Sequence, residues 1–217
     1  MESTSTRAPI DAPDLPGHGS SGDVVADLGT TAERLVAEFS NAAYVGYSMG
    51  GRVALHLALA HPESVSHLVL CSATAGIDDQ AERAARRADD ARLADHIRTI
   101  GVDAFITEWT SQPMFSSLAR TSDDDEIRRT NTAEGLATSL ETMGTGQQDP
   151  LWSRLHELEM PVLIVTGTLD TKFTALGKRM TELIGPNAKH VEFPGAGHAV
   201  PFERPSEFGS LLSVFLR

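Results

Sequence analysis

The chain holds a single cysteine, Cys71, among its 217 residues. That excludes an internal disulfide and fits a reducing compartment, and its place at the end of an apolar stretch suits a buried packing role. No apolar run approaches the ~20 residues needed to span a bilayer. Residues 1–14, rich in Ser, Thr and Pro, offer no apolar core for a secretory signal. The expectation is a cytoplasmic protein with no membrane partner. No His, Cys and Asp cluster has metal-ligand spacing, and no Gly-rich phosphate loop follows a strand, so neither a metal site nor a nucleotide site is expected. There is no internal repeat and no low-complexity segment. Lysine is scarce as well: Lys172, Lys178 and Lys189 are the only lysines among 18 basic residues, the rest being arginine. The formal net charge of -12 repels polyanions, which argues against nucleic acid as a partner. Arginine grips carboxylates bidentately, so a small anionic molecule held in a locally basic cleft is compatible with that charge. A high-GC coding bias accounts for the arginine excess equally well.

At 41% hydrophobic content the length suits one domain with one sizeable core and room for a small inserted subdomain. The stretch that organises it runs from Asn41 to His56. A short apolar strand leads into Gly46-Tyr47-Ser48-Met49-Gly50, and an apolar-periodic helix follows from near Met49 through Leu59. A serine hydroxyl is inert at neutral pH and must be held on a tight turn between a base and a substrate. Gly-x-Ser-x-Gly at a strand-to-helix turn is the pattern that does this, with glycines at 46 and 50 letting backbone pack close.

Upstream, Asp14 to Gly22 is a Gly/Pro-punctuated loop in which His18 reads as a turn residue, and 24–39 has helical periodicity with Val25, Leu28, Leu35 and Phe39 near one face. Downstream, Val65 to Cys71 is a second strand. Strand, helix and strand at this spacing form a βαβ unit, which implies a parallel sheet. From 77 to 149 the sequence is helical and charged, with helices expected over 80–100, 102–109, 124–129 and 133–143. An all-helical interval inside an α/β chain is expected to form a lid over the sheet's carboxyl edge. The sheet core is thus residues 14–76 and 150–217, resuming with a strand over 160–167, a helix over 174–184, a strand over 188–193 and a last helix from Pro205 to Phe215.

A catalytic serine needs a histidine to take its proton and an acid to orient that histidine. Asp170 lies just past a strand's carboxyl end, where open α/β sheets gather functional groups, and His198 lies in the glycine-rich loop after the last strand. The competing readings are a helix N-cap for Asp170 and a turn residue for His198.

With these residues the chain resembles the α/β-hydrolase fold through Asp14-Leu15-Pro16-Gly17-His18-Gly19, Gly46-Tyr47-Ser48-Met49-Gly50-Gly51 and Gly195-Ala196-Gly197-His198. More narrowly it resembles the 2-succinyl-6-hydroxy-2,4-cyclohexadiene-1-carboxylate (SHCHC) synthases of menaquinone biosynthesis. The narrower likeness rests on Tyr47 and Arg52, Glu108-Trp109, Gln112-Pro113-Met114-Phe115, Glu134-Gly135-Leu136-Ala137, Met143-Gly144-Thr145-Gly146-Gln147, Pro150-Leu151-Trp152 and Asp170-Thr171-Lys172-Phe173. The resemblance implies a cofactor-independent lyase that removes a proton from carbon and expels pyruvate, with Ser48 as base, His198 polarising it and Asp170 fixing the imidazole. It implies a polycarboxylate substrate held by Arg52, Arg92 and Arg128, with Arg129 competing for the last role, and a pocket lined by Tyr47 and Trp109, for which a core role is the alternative. The N–H of Met49 would be one oxyanion donor. The family's usual N-terminal strands, whose His-Gly-Phe-like loop supplies the other donor, are lacking before Asp14, which leaves the nucleophile strand expected at the sheet's edge. A serine esterase or a carbon-carbon bond hydrolase is the alternative activity on this scaffold.

Overall fold

A computed structural model describes residues 9–119 and 122–217 of the chain; most of the segment read above for signal character lies outside them. Four parallel strands form one sheet in chain order: β1 (Ala42–Tyr47), β2 (Val65–Cys71), β3 (Val162–Gly167) and β4 (Ala188–Phe193). Their register brings Tyr47 beside Cys71, Cys71 beside Val165 and Gly167 beside Phe193. All four carboxyl ends therefore open on one edge of the sheet, and Ser48, Asp170 and His198 each follow a strand there.

Alternation along the central strands splits the core in two. Leu68, Leu70, Val162 and Ile164 face one way, against helices α2 (Met49–Ala60) and α6 (Thr171–Ile184). Val69, Cys71, Leu163 and Val165 face the other way, against Phe208 of the last helix, α8 (Pro205–Phe215). Strands buried on both faces read as continuous apolar runs, which is why β2 and β3 stood out in the sequence. Among the described residues β1 pairs on one side only, and its Val45 is 46% exposed.

Between β2 and β3 lie α3 (Gln80–Thr110), α4 (Ser122–Arg129) and α5 (Ala133–Met143). The two helices expected over 80–109 join into α3 across a break at Gly101, whose φ of 77° no side-chain-bearing residue adopts cheaply. Ile97, Phe105, Ile106 and Leu136 give this interval a core of its own. It meets the sheet domain at the start of α5 and, among other places, beside its exit. Gly17 and Gly135 bring the loop before α1 (Leu28–Glu38) onto the start of α5, where a Cβ on Gly17 would stand 2.3 Å from the Gly135 carbonyl oxygen. At the exit, the indole of Trp152 donates to Gly76 O at 3.0 Å and carries the Arg179 guanidinium 3.8 Å above its ring.

Helix starts are set by side-chain caps, and this shifts two boundaries. The first helix begins at Leu28, not near Val24, because the Asp27 carboxylate accepts from Thr30 N; Val25 consequently lies outside the helix and is 67% exposed. The helix after β3 begins at Thr171, earlier than expected, because Asp170 caps it through Phe173 N. A further short helix, α7 (Val200–Glu203), was not visible in the sequence. No described helix is long and apolar enough to cross a membrane.

Two predictions follow from this packing. The Asp27 carboxyl is held below its ordinary value by the Thr30 amide, so its cap contributes fully above pH 3.8 and is lost as pH falls through the lowered value. Asp27→Ala is expected to cost about 1 kcal/mol at neutral pH, with the difference from the parent vanishing in acid; equal destabilisation at both pH values in urea unfolding would contradict it. At the turn, a Cβ on Gly46 would sit 2.4 Å from Gly50 O, whereas one on Gly50 meets nothing within 4 Å. Gly46→Ala should lower stability by about 1–3 kcal/mol and Gly50→Ala should be neutral or raise it by up to ~1 kcal/mol. The urea midpoints of the two variants check this directly.

Candidate active site

Ser48 sits between β1 and α2 at φ 50° and ψ -108°, a conformation open at little cost only to glycine. The turn is held from both sides: Ser48 N donates to Cys71 O at 2.8 Å, and its carbonyl accepts from Arg52 N as α2 begins. The close approach that permits the turn involves Gly46 and also Gly51, where a Cβ would lie 2.6 Å from the Ala73 side chain. The glycine expected to matter at 50 is sterically free, because its side-chain direction points away from the crossing backbone.

His198 is 2% exposed and bridges the other two groups. Its Nδ1 lies 2.6 Å from Asp170 Oδ2 and its Nε2 lies 3.3 Å from Ser48 Oγ. A carboxylate can only accept, so it selects the tautomer with the proton on Nδ1 and leaves Nε2 free to accept from the serine hydroxyl. Asp170 performs both roles weighed for it: Oδ2 meets His198 while Oδ1 caps α6. Phe173 packs edge-on to the imidazole at 4.6 Å, Tyr47 lies at 5.4 Å and Phe115 at 6.3 Å. These rings keep bulk water from the base.

Gly167, which sequence reading passed over, makes the histidine loop possible. A Cβ there would stand 2.2 Å from the carbonyl oxygens of both Ala196 and Gly197. A lone glycine at the end of a buried strand was the available signal.

The predicted binding residues divide. Tyr47 lies against His198 and Phe202, and burial pushes its phenol well above the ordinary range. Met49 opens α2, so its N–H has no acceptor within the helix. Trp109 belongs to the core of the helical interval and reaches the site through Phe115, with ring centroids 5.9 Å apart. Arg128 lines a cleft of about 70 Å³ with Leu118, Ala119, Asp124 and Phe202, and it acts electrostatically on Tyr47. Its competitor Arg129 turns away to Asp103 and Thr107.

Arg52 is 7% exposed and donates through Nη1 to Met143 O at 2.6 Å, tying α2 to the end of α5. Burial, then the neighbouring Arg86, lowers it to about 10. Arg92 is not brought to the site: its side chain is 71% exposed and paired with Asp89. The reason is helical phase. Asp90, Ala94 and Ile97 face inward, and Arg92, two residues from Asp90, is about 200° around the helix from it. The α3 guanidinium found beside Arg52 belongs to Arg86, which binds Asp90 at 2.7 Å with the i, i+4 spacing that could have revealed it.

A Ser, Asp, His order delivered by successive carboxyl ends of a parallel sheet is accompanied by a direct sequence match: the profile of the Alpha/beta hydrolase family matches residues 4–210. The chain belongs to this family. Among hydrolase-family relatives, a Bacillus subtilis (strain 168) protein provisionally named 2-succinyl-6-hydroxy-2,4-cyclohexadiene-1-carboxylate synthase is 42% identical over 177 residues, covering 79% of this chain and 64% of that relative. The synthase of that name from Enterobacter sp. (strain 638) is 30% identical, covering 94% of this chain and 80% of its own length. Among solved structures, MenH from S. aureus superposes with a TM-score of 0.84 at 33% identity, covering 94% of this chain and 81% of that one. The chain thus spans under two thirds of the Bacillus relative and about four fifths of the other two.

A serine-directed fluorophosphonate should label Ser48 in this hydrolase-family site. Asp170→Asn keeps the helix cap but inverts the hydrogen-bond demand on the imidazole, and labelling should slow by about 10²-fold or more with little change in melting temperature. Labelling at the parent rate would detach Asp170 from the serine's reactivity.

Proposed function

We propose that the chain is a lyase of menaquinone biosynthesis, acting in the cytoplasm and without a cofactor on 2-succinyl-5-enolpyruvyl-6-hydroxy-3-cyclohexene-1-carboxylate and releasing pyruvate. The observation that carries this reading is the hydrogen-bonded line Asp170–His198–Ser48, roofed by aromatic rings, in a chain whose relatives are named as SHCHC synthases.

In this reading Ser48 Oγ takes a proton from a substrate carbon while His198 Nε2 accepts the hydroxyl proton. The electron pair left on carbon moves into the ring system and breaks the ring-carbon bond to the enolpyruvyl oxygen, and the departing enolate is protonated on carbon to pyruvate by the proton held on His198 Nε2, which restores the neutral imidazole. Asp170 stabilises the imidazolium that forms in between. Met49 N–H and Arg128 are assigned to the negative charge that develops on the substrate, where a preorganised donor is worth most. Arg128, which lines the cleft beside Phe202, is assigned to a substrate carboxylate, and Arg86, next to Arg52, takes the part expected of Arg92. Helices α3 to α5 act as the lid, with Phe115 as its contact to the base.

Following pyruvate release from the enolpyruvyl precursor tests the proposal. Turnover is expected, with Ser48→Ala and His198→Ala each lowering kcat by about 10²–10⁴-fold. Arg128→Ala should raise KM by about tenfold or more, as loss of a charge-assisted hydrogen bond does, and Arg129→Ala should leave it near the parent value. Hydrolysis of p-nitrophenyl acetate without pyruvate release would overturn the reading in favour of an esterase.

A further inference from the structure

The base sits in the least constrained kind of segment. His198 lies between Gly197 and Ala199, with Gly195 just before it at φ 68°, in a loop running from the end of β4 to α7. Glycine-rich backbone has many accessible conformations, so holding Nε2 at 3.3 Å from Ser48 Oγ calls for contacts beyond the loop itself. Two side chains outside the Ser-His-Asp line grip the main chain around the histidine. Glu203 Oε2 accepts from Gly197 N at 2.8 Å and Oε1 accepts from Ala199 N at 3.0 Å, so one carboxylate spans the amides on both sides of His198. Ser72 Oγ donates to the carbonyl of His198 itself at 2.8 Å. Ser72 is fully buried just past β2 and held at φ 47°, with its N–H on Val165 O. A non-glycine residue kept in the left-handed region inside the core is a local cost that its surroundings must sustain.

We propose that Glu203 and Ser72 are positioning residues that fix the position of the His198 imidazole over Ser48. The carboxylate sets the loop's rotation through two charge-assisted bonds, and the hydroxyl pins its height against the ends of the central strands. Gly197 is bare for the same reason: a Cβ there would lie 2.3 Å from Ser117 Oγ and 3.3 Å from Glu203 Oε1. The inference rests on the lyase reading for its substrate, but the clamp acts on the serine–histidine pair whatever that pair turns over.

The test compares the full chain with Glu203→Gln and Ser72→Ala by four readouts: kcat and KM for pyruvate release, the rate of Ser48 labelling by a fluorophosphonate, the downfield proton resonance of the His198 Nδ1–H bond to Asp170, and the melting temperature. Glu203→Gln turns one acceptor into a donor facing an amide N–H, and Ser72→Ala removes the hydroxyl alone. The expected result is a parallel fall in kcat and labelling of up to about 10²-fold, as small displacements of a base produce, with KM unchanged and the downfield resonance shifted or broadened. Should Glu203→Gln not fold, Ser72→Ala carries the comparison. Unchanged kcat and labelling in a folded variant would overturn the clamp, as would an activity loss that only follows the melting temperature with the resonance unmoved. Slower labelling and a moved resonance in a protein that releases no pyruvate would support the clamp while counting against the lyase reading.

Discussion

The site depends on one bend of backbone. Ser48 stands at φ 50°, where a side chain is sterically costly, and two features keep it there: the bond from its N–H to Cys71 O and the absence of side chains at Gly46 and Gly51. The bend lifts the hydroxyl out of the sheet edge and sets the direction of α2, whose first N–H becomes an available donor. Because β1 to β4 are in register at their carboxyl ends, the same edge that presents the serine also presents Asp170 and the loop of His198. Relaxing the bend would leave three correctly chosen residues that no longer meet.

The same logic of close backbone approach recurs along the site. Gly167 lets the histidine loop cross β3, Gly197 lets Ser117 come down on that loop, and Gly17 and Gly135 let the helical interval meet the sheet domain. The aromatic roof of Phe115, Phe173 and Tyr47 then surrounds an imidazole whose tautomer is already chosen by Asp170. An imidazole held in this way can accept the Ser48 hydroxyl proton without rearranging its surroundings.

Much of this was legible in the sequence because it is local. The apolar runs of β2 and β3, the turn at Ser48 and the positions of Asp170 and His198 after strands are all set by neighbours a few residues away, and the parallel order followed from the βαβ spacing. What escaped depends on phase or on distant partners. Arg92 and Arg86 look alike along the chain, and only the rotation of α3 decides that Arg86 joins Arg52 while Arg92 faces solvent. Arg128 and Arg129 are adjacent, and the cleft beside Phe202 distinguishes them. The first helix starts at Leu28 because the Asp27 carboxylate caps it from a side-chain contact that apolar periodicity does not show, and the cap weighed for Asp170 starts the later helix at Thr171, ahead of the expected 174. Glu203 and Ser72 are unremarkable in composition, and their grip on the His198 loop exists only once β2, β4 and α7 have come together.

The central claim is that in turnover of the enolpyruvyl precursor Ser48 acts as a base and forms no covalent adduct with the substrate. Rapid acid quench of the protein during turnover of the enolpyruvyl precursor, followed by intact-mass measurement, tests it most directly. The account predicts the unmodified mass at every time point while pyruvate accumulates. A transient adduct on Ser48, formed and lost at the rate of turnover, would contradict it.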